Sequence, residues 1–227
     1  MPEITITPAR RGDLLAAADV LAEAFEADPV LAAIAPTPGR RRTRLAHLFH
    51  GMLAAGAFTT GTVDLARDGD GSILGVAVWE GPDARHGALG RLVGQAPHFV
   101  RALGWRGIPR ALSLFSHLER QRPDSPHWYR AEVGVTARAR GRGVGGRLLS
   151  THLDALDAMR QSAYLESSTP VNRRLYRRLG FEEVRPITGG RAPARGDAAA
   201  SRHASRVARL PPRAQPVNPL PSRRRPS

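Results

Sequence analysis

Arg140-Gly141-Arg142-Gly143-Val144-Gly145-Gly146 lies between a β-like run that ends near Val135 and a helix-like run that begins at Val144. Glycine has no Cβ, so main-chain N–H groups in such a turn can come close to an anionic ligand. The helix that follows puts the positive end of its dipole at the same point. The stretch therefore reads as a cradle for a diphosphate, and the flanking sequence decides which kind of molecule carries it.

Two patterns fit these residues. Gly141 to Gly146 satisfies G-x-G-x-x-G, and Glu166 follows about 20 residues on, where a dinucleotide-binding fold places a ribose-binding acid. Three features argue against that fold. Its first glycine belongs directly after a strand, whereas Thr136 to Arg140 intervene here. Too little α/β sequence remains after Glu166 for a doubly wound sheet. Two arginines among the glycines suit a ligand richer in phosphate charge.

The second pattern is R-x-x-G-x-G, from Arg140 through Gly143 to Gly145, and it comes with specific flanks. Upstream stands His127-Trp128-Tyr129-Arg130-Ala131-Glu132-Val133-Gly134-Val135. Downstream stand Tyr164-Leu165-Glu166-Ser167-Ser168 and a segment from Asn172 through Tyr176 to Gly180-Phe181. This order resembles the GCN5-related N-acetyltransferase (GNAT) superfamily, and it is most similar to the branch containing puromycin N-acetyltransferase. The motifs cover about residues 127–184, with a looser likeness around Phe25 to Pro29.

The resemblance implies a mixed-sheet α/β fold and direct transfer of an acetyl group from acetyl-CoA to a primary amine of a small molecule. It implies that the backbone of Val133 and Val135 binds the cofactor's pantetheine arm and stabilises the reacting carbonyl. Arg140, Gly141, Arg142, Gly143, Val144, Gly145 and Gly146 would hold the diphosphate, and Asn172 the pantetheine. Tyr176, four residues after Asn172 and on the same helical face, becomes the general acid, because a phenol of pKa about 10 can protonate a departing thiolate. Glu166 becomes the catalytic base, with Glu132 as its rival on the cofactor strand. Phe25, Trp79 and Tyr129 are candidates for an aromatic wall at the acceptor site. His47 and His50 sit at H-x-x-H spacing with no third ligand in view, so no metal site is expected.

Composition bounds these readings. The chain has 227 residues and no cysteine, which excludes disulfides, thiolate catalysis and Cys-ligated metals. Neither a secretory signal nor an apolar run of membrane length is visible, so a soluble cytoplasmic protein without a membrane partner is expected. Whether it is a monomer or a homodimer is not legible. The net charge is +14 with every basic residue an arginine; +9 of it falls between Arg185 and Ser227, leaving +5 on residues 1–184. Two other functions stand beside the enzyme: a non-catalytic acetyl-CoA-binding module, and a nucleic-acid binder acting through the Arg-rich tail. The second rests on tail charge alone, without aromatic interleaving, zinc spacing or a helix-turn-helix signal.

The element order predicted from periodicity is β-α-α-β-β-α-β-α-β-α-β, one mixed-sheet domain over residues 1–188. Asp13 is expected to cap the first helix, Asp28-Pro29 to end it, and Asp68-Gly69-Asp70-Gly71 to turn a hairpin. Residues 86–122 read as helical pieces broken at Pro97, Gly104, Gly107 and Pro109. Residues 189–227 are too poor in large apolar side chains to offset ordering entropy and read as a disordered basic tail. That tail reads as an aberrant terminus lacking the last strand of the fold, for which only Val207 to Leu210 could serve.

Overall fold

Strands with alternating or continuous apolar runs and helices with apolar stripes build the chain in the expected order. The computed structural model describes residues 3–34, 38–120, 122–123, 125–167, 170–186 and 205–209. In chain order the elements are β1 (Thr5–Pro8), α1 (Leu14–Ala24), α2 (Pro29–Ile34), α3 (Arg41–Ala55), α4 (Ala57–Thr60), β2 (Gly61–Arg67) and β3 (Ile73–Glu80). Then follow α5 (Ala88–Gly94), α6 (Ala96–Glu119), β4 (Trp128–Val135), α7 (Val144–Ala158), β5 (Ala163–Ser167), α8 (Pro170–Arg178), β6 (Glu182–Pro186) and β7 (Ser205–Arg209).

The seven strands form one sheet in the order β1-β2-β3-β4-β5-β7-β6. Only β4 and β5 are parallel neighbours; every other pair is antiparallel. Each face carries its own apolar core. On one face α1, α3 and α6 cover Val63, Leu65, Val76 and Val78. On the other, α7 lays Val144, Leu148, Leu149, Leu153 and Leu156 over Ala77, Trp79 and Leu165. Each fully buried leucine contributes about 1.5–3 kcal/mol, so α7 is a firmly seated element and not a mobile flap.

Local signals are realised with three differences. Asp13 does not cap α1; its carboxylate accepts the Arg10 N–H at 2.8 Å and the Arg67 guanidinium at 2.7 Å. α1 ends at Ala24, before Asp28-Pro29, which instead opens α2, because the Asp28 carboxylate caps the Val30 and Leu31 N–H groups at 2.9 Å. In α6 the chain breaks at Gly104, whose φ of 64° leaves the helical region, while Pro109 stays inside the helix. Gly71 (φ 84°) turns the β2–β3 hairpin as expected.

The C-terminal reading needs a correction. Ser205–Arg209 forms β7 and slots between β5 and β6, pairing antiparallel with both. The position expected to lack a strand is filled from the span read as unstructured tail, so the sheet draws on residues beyond 188. Strand pairing is satisfied by backbone groups, which an apolar-content argument does not count. Residues 189–204 and 210–227, the rest of the expected tail, lie outside the described residues.

Candidate active site

β4 and β5 pair only at Trp128↔Ala163 and Tyr129↔Tyr164, and then part. At the same level the β3–β4 register slips between Val78↔Glu132 and Trp79↔Arg130, leaving Ala131 as an extra residue on β4. A bulge of this kind bends the bulged strand. It therefore accounts for β4 leaving β5 and opening a wedge between two parallel strands. The direction of the main chain in that wedge follows from the ladder. Thr136 donates its N–H to the Leu74 carbonyl at 2.9 Å, and successive residues alternate direction. Gly134 and Glu132 then point their main-chain groups at β3, while those of Val133 and Val135 face the wedge.

The wedge leads to the glycine loop. Gly141 and Gly143 both sit at φ 75°, a left-handed conformation costly for any residue with a Cβ. Open space surrounds the Cβ position of each, so conformation and not crowding requires glycine there. Gly143 is the N-cap of α7 and supplies no side chain to cap it. Among the described residues, the N–H groups of Gly141, Gly143, Val144, Gly145 and Gly146 donate to no protein acceptor. Unpaired donors gathered at a helix start are what a diphosphate needs. Arg140 is exposed and Arg142 half-buried beside them. The run into the loop is fixed to α1, where Glu23 accepts the Ala137 N–H at 2.7 Å and also holds Arg42.

On the α1/α3/α6 face, acids and phenols gather where the wedge opens. Tyr129 donates its hydroxyl to one Glu166 oxygen at 2.8 Å, and Tyr164 donates to the other at 3.4 Å. Arg130 donates to the Glu166 carbonyl at 2.9 Å. Burial raises the Glu166 pKa, and these hydrogen bonds and the nearby arginines oppose the rise. Glu132 is paired with Val78 on the same face. Burial, reinforced by the neighbouring Glu80 charge, pushes its pKa up to about 7, against the pull of Arg130 and Arg122. Glu80 and Arg122 were not singled out from the sequence. Glu80 carried a signal, an acid closing the apolar run Ile73 to Trp79, but Arg122 in a polar loop carried none.

On the opposite face Tyr176 is buried, edge-on to Phe181, with the Arg130 guanidinium 5.3 Å from its ring centre. Asn172 stands exposed one helical turn earlier in α8. Tyr176 thus lies on the α7/α8 side of the sheet, close to Arg130 of β4. The expected aromatic wall does not form. Trp79 pairs with Arg130 and points under α7, where it stacks on His152 at 4.4 Å, whereas Tyr129 is on the other face and Phe25 packs on Phe49. Alternation along β3 and β4 separates the two faces. His47 and His50 do acquire a neighbour, His98 of α6, but the rings lie side by side with centres 5.6 and 4.3 Å from His98. Among the described residues no group of three or more His, Cys, Asp or Glu could hold a metal ion.

A mixed sheet opened between two parallel strands, with an anion cradle at the start of the next helix, defines an acyl-CoA-type transferase fold. The profile of the acetyltransferase (GNAT) domain family matches residues 111–183. Over the whole chain the structure is similar to a Corynebacterium glutamicum protein described as histone acetyltransferase HPA2 and related acetyltransferase. That match has 27% identity and TM-score 0.70, covering 96% of this chain and 100% of that one. It is also similar to arylalkylamine N-acetyltransferase 2 from Aedes aegypti (15% identity, TM-score 0.58, 92% and 99% covered). A third likeness is to PH1933 from Pyrococcus horikoshii (18% identity, TM-score 0.54, 92% and 98% covered). Residues 111–183 thus match the GNAT acetyltransferase domain, and the chain shares the fold of the GNAT acetyltransferases. No helix among the described residues is long and apolar enough to cross a membrane.

Proposed function

We propose that this acetyltransferase moves the acetyl group directly to a primary amine of a small molecule, in the manner of the puromycin N-acetyltransferase-like branch and in the cytoplasm. The observation that carries the direct-transfer reading is the wedge: two parallel strands part at a bulge, and the free backbone of Val133 and Val135 lines the opening. Acetyl-CoA supplies an activated thioester carbonyl. The free amides of Gly141, Gly143, Val144, Gly145 and Gly146 would hold its diphosphate, the Val135 main chain and Asn172 would hold the pantetheine arm, and the Val133 N–H would be available to the carbonyl oxygen as negative charge develops there.

The geometry favours Glu132 over Glu166 as the general base. Glu166 is committed to two phenols, whereas Glu132 titrates near neutrality, where a base both exists in its ionised form and can accept a proton. Glu166 then holds Tyr129 and Tyr164 in place at the acceptor side. Tyr176 delivers a proton to the departing thiolate from the α8 side. Acidic groups at the acceptor mouth suit a cationic amine. A thiol-release assay over a panel of primary amines tests the reading. Release that depends on an amine and falls about 100-fold in Glu132→Gln supports it; binding of acetyl-CoA with no thiol release for any amine points to the binding-module alternative.

A further inference from the structure

β3 and β4 are antiparallel neighbours, yet a tight hairpin does not join them; residues 81–127 leave the sheet, form α5 and α6, and return. The return path brings Arg122 over the acceptor side of the wedge. Its side chain is only 13% exposed, donates to Glu80 at 2.9 Å and meets Glu119 at 3.1 Å. Its guanidinium lies over the Tyr129 ring, with the central carbon 3.4 Å from the ring centre.

We propose that Arg122 is a positioning residue for acetyl transfer, a clamp by which the α5–α6 excursion fixes Glu80 and Tyr129 around Glu132. The proposal rests on Glu132 being the base. Three groups face Glu132 electrostatically, and they come from different elements: Glu80 from β3, Arg130 from β4 and Arg122 from the excursion. Glu80 disfavours its charge and the two arginines favour it. A planar guanidinium bound to Glu80 on one edge and stacked on Tyr129 holds the local balance of charge and the orientation of Tyr129 together. Tyr129 in turn donates to Glu166, so one side chain of the excursion governs a run of groups across three strands.

The test reads Glu132 directly, by carboxyl-carbon NMR titration of the full-length chain, with its signal assigned by loss in Glu132→Gln. Arg122→Gln is expected to raise the Glu132 pKa by about half a unit or more and to lower kcat/KM. Glu80→Gln is expected to move it the opposite way. Arg122→Lys restores the charge but not the planar stack, so the titration returns toward wild type while the rate recovers only in part. A purely structural role for Arg122 predicts no such pair of opposite shifts. Glu132 titrating identically in wild type and both Arg122 variants, with kcat/KM unchanged, overturns the proposal. Should Arg122→Gln fail to fold, Arg122→Lys and Glu80→Gln carry the test by themselves. Failure of the base reading appears elsewhere, as an acid limb of the rate profile that survives in Glu132→Gln while the NMR shifts remain.

Discussion

Replacing Glu132 by Gln should cripple the enzyme and stabilise it in the same step. The shape is conserved and the charge removed. In the folded chain the carboxyl titrates near 7 in place of its ordinary 4.5, a difference of about 2.5 units. At 1.36 kcal/mol per unit this is about 3 kcal/mol, trimmed to about 2–3 for partial exposure. The folded-state pKa is raised, so folding favours the protonated form. The contribution of this group to stability is whole below about pH 4.5 and is lost as pH climbs through 7. The stability of Glu132→Gln relative to wild type should therefore grow by about 2–3 kcal/mol between pH 5 and pH 8. In a chain of this size that is roughly 4–12 °C in Tm. Thermal or urea unfolding of both proteins across that range measures it, alongside kcat/KM. Parallel stability–pH curves for the two proteins would refute the placement of a strained carboxyl at residue 132.

Four further outcomes follow from the geometry. For the wild type, kcat/KM should fall tenfold per unit below about pH 7, since Glu132 must be ionised to accept a proton; a flat profile from pH 6 to 8 contradicts this. Gly143→Ala should cost about 1–2 kcal/mol of stability from its φ of 75° and weaken acetyl-CoA binding, measured by calorimetry. Tyr176→Phe should reduce kcat with little change in acetyl-CoA affinity, and full turnover in that variant would remove Tyr176 from the mechanism. Burial holds the His50 and His98 pKa values below normal, with repulsion from His47 on both and from His50 and Arg101 on His98, so protonation as pH falls below about 6.5 should loosen α3 from α6. His98→Gln should show a smaller fall in Tm between pH 7 and pH 5 than wild type.

Much of the fold was legible because it is written in local chemistry. β5 at Ala163–Ser167, the start of α7 at Val144 and the close of α8 by Gly180 all follow from short-range signals. The cradle was equally legible, since its function lies in glycines and backbone donors adjacent in sequence. The rest depends on register, which sequence does not display. Trp79 and Tyr129 fall on opposite faces because the bulge at Ala131 sets which β3 residue meets which β4 residue. Arg122 reaches Tyr129 only because the α5–α6 excursion folds back over the sheet. Val207 to Leu210 was the one stretch named for the last strand, yet β7 was discounted because its evidence is hydrogen bonding to β5 and β6.

The account's central claim is that the amides at residues 141–146 and the parted β4 strand together hold acetyl-CoA for attack. A crystal structure of the full chain with acetyl-CoA tests it most directly. Diphosphate oxygens within about 3 Å of the Gly143 to Gly146 N–H groups, with the thioester carbonyl at the Val133 N–H, is the predicted result. A diphosphate seated elsewhere, with those amides left to solvent, contradicts it.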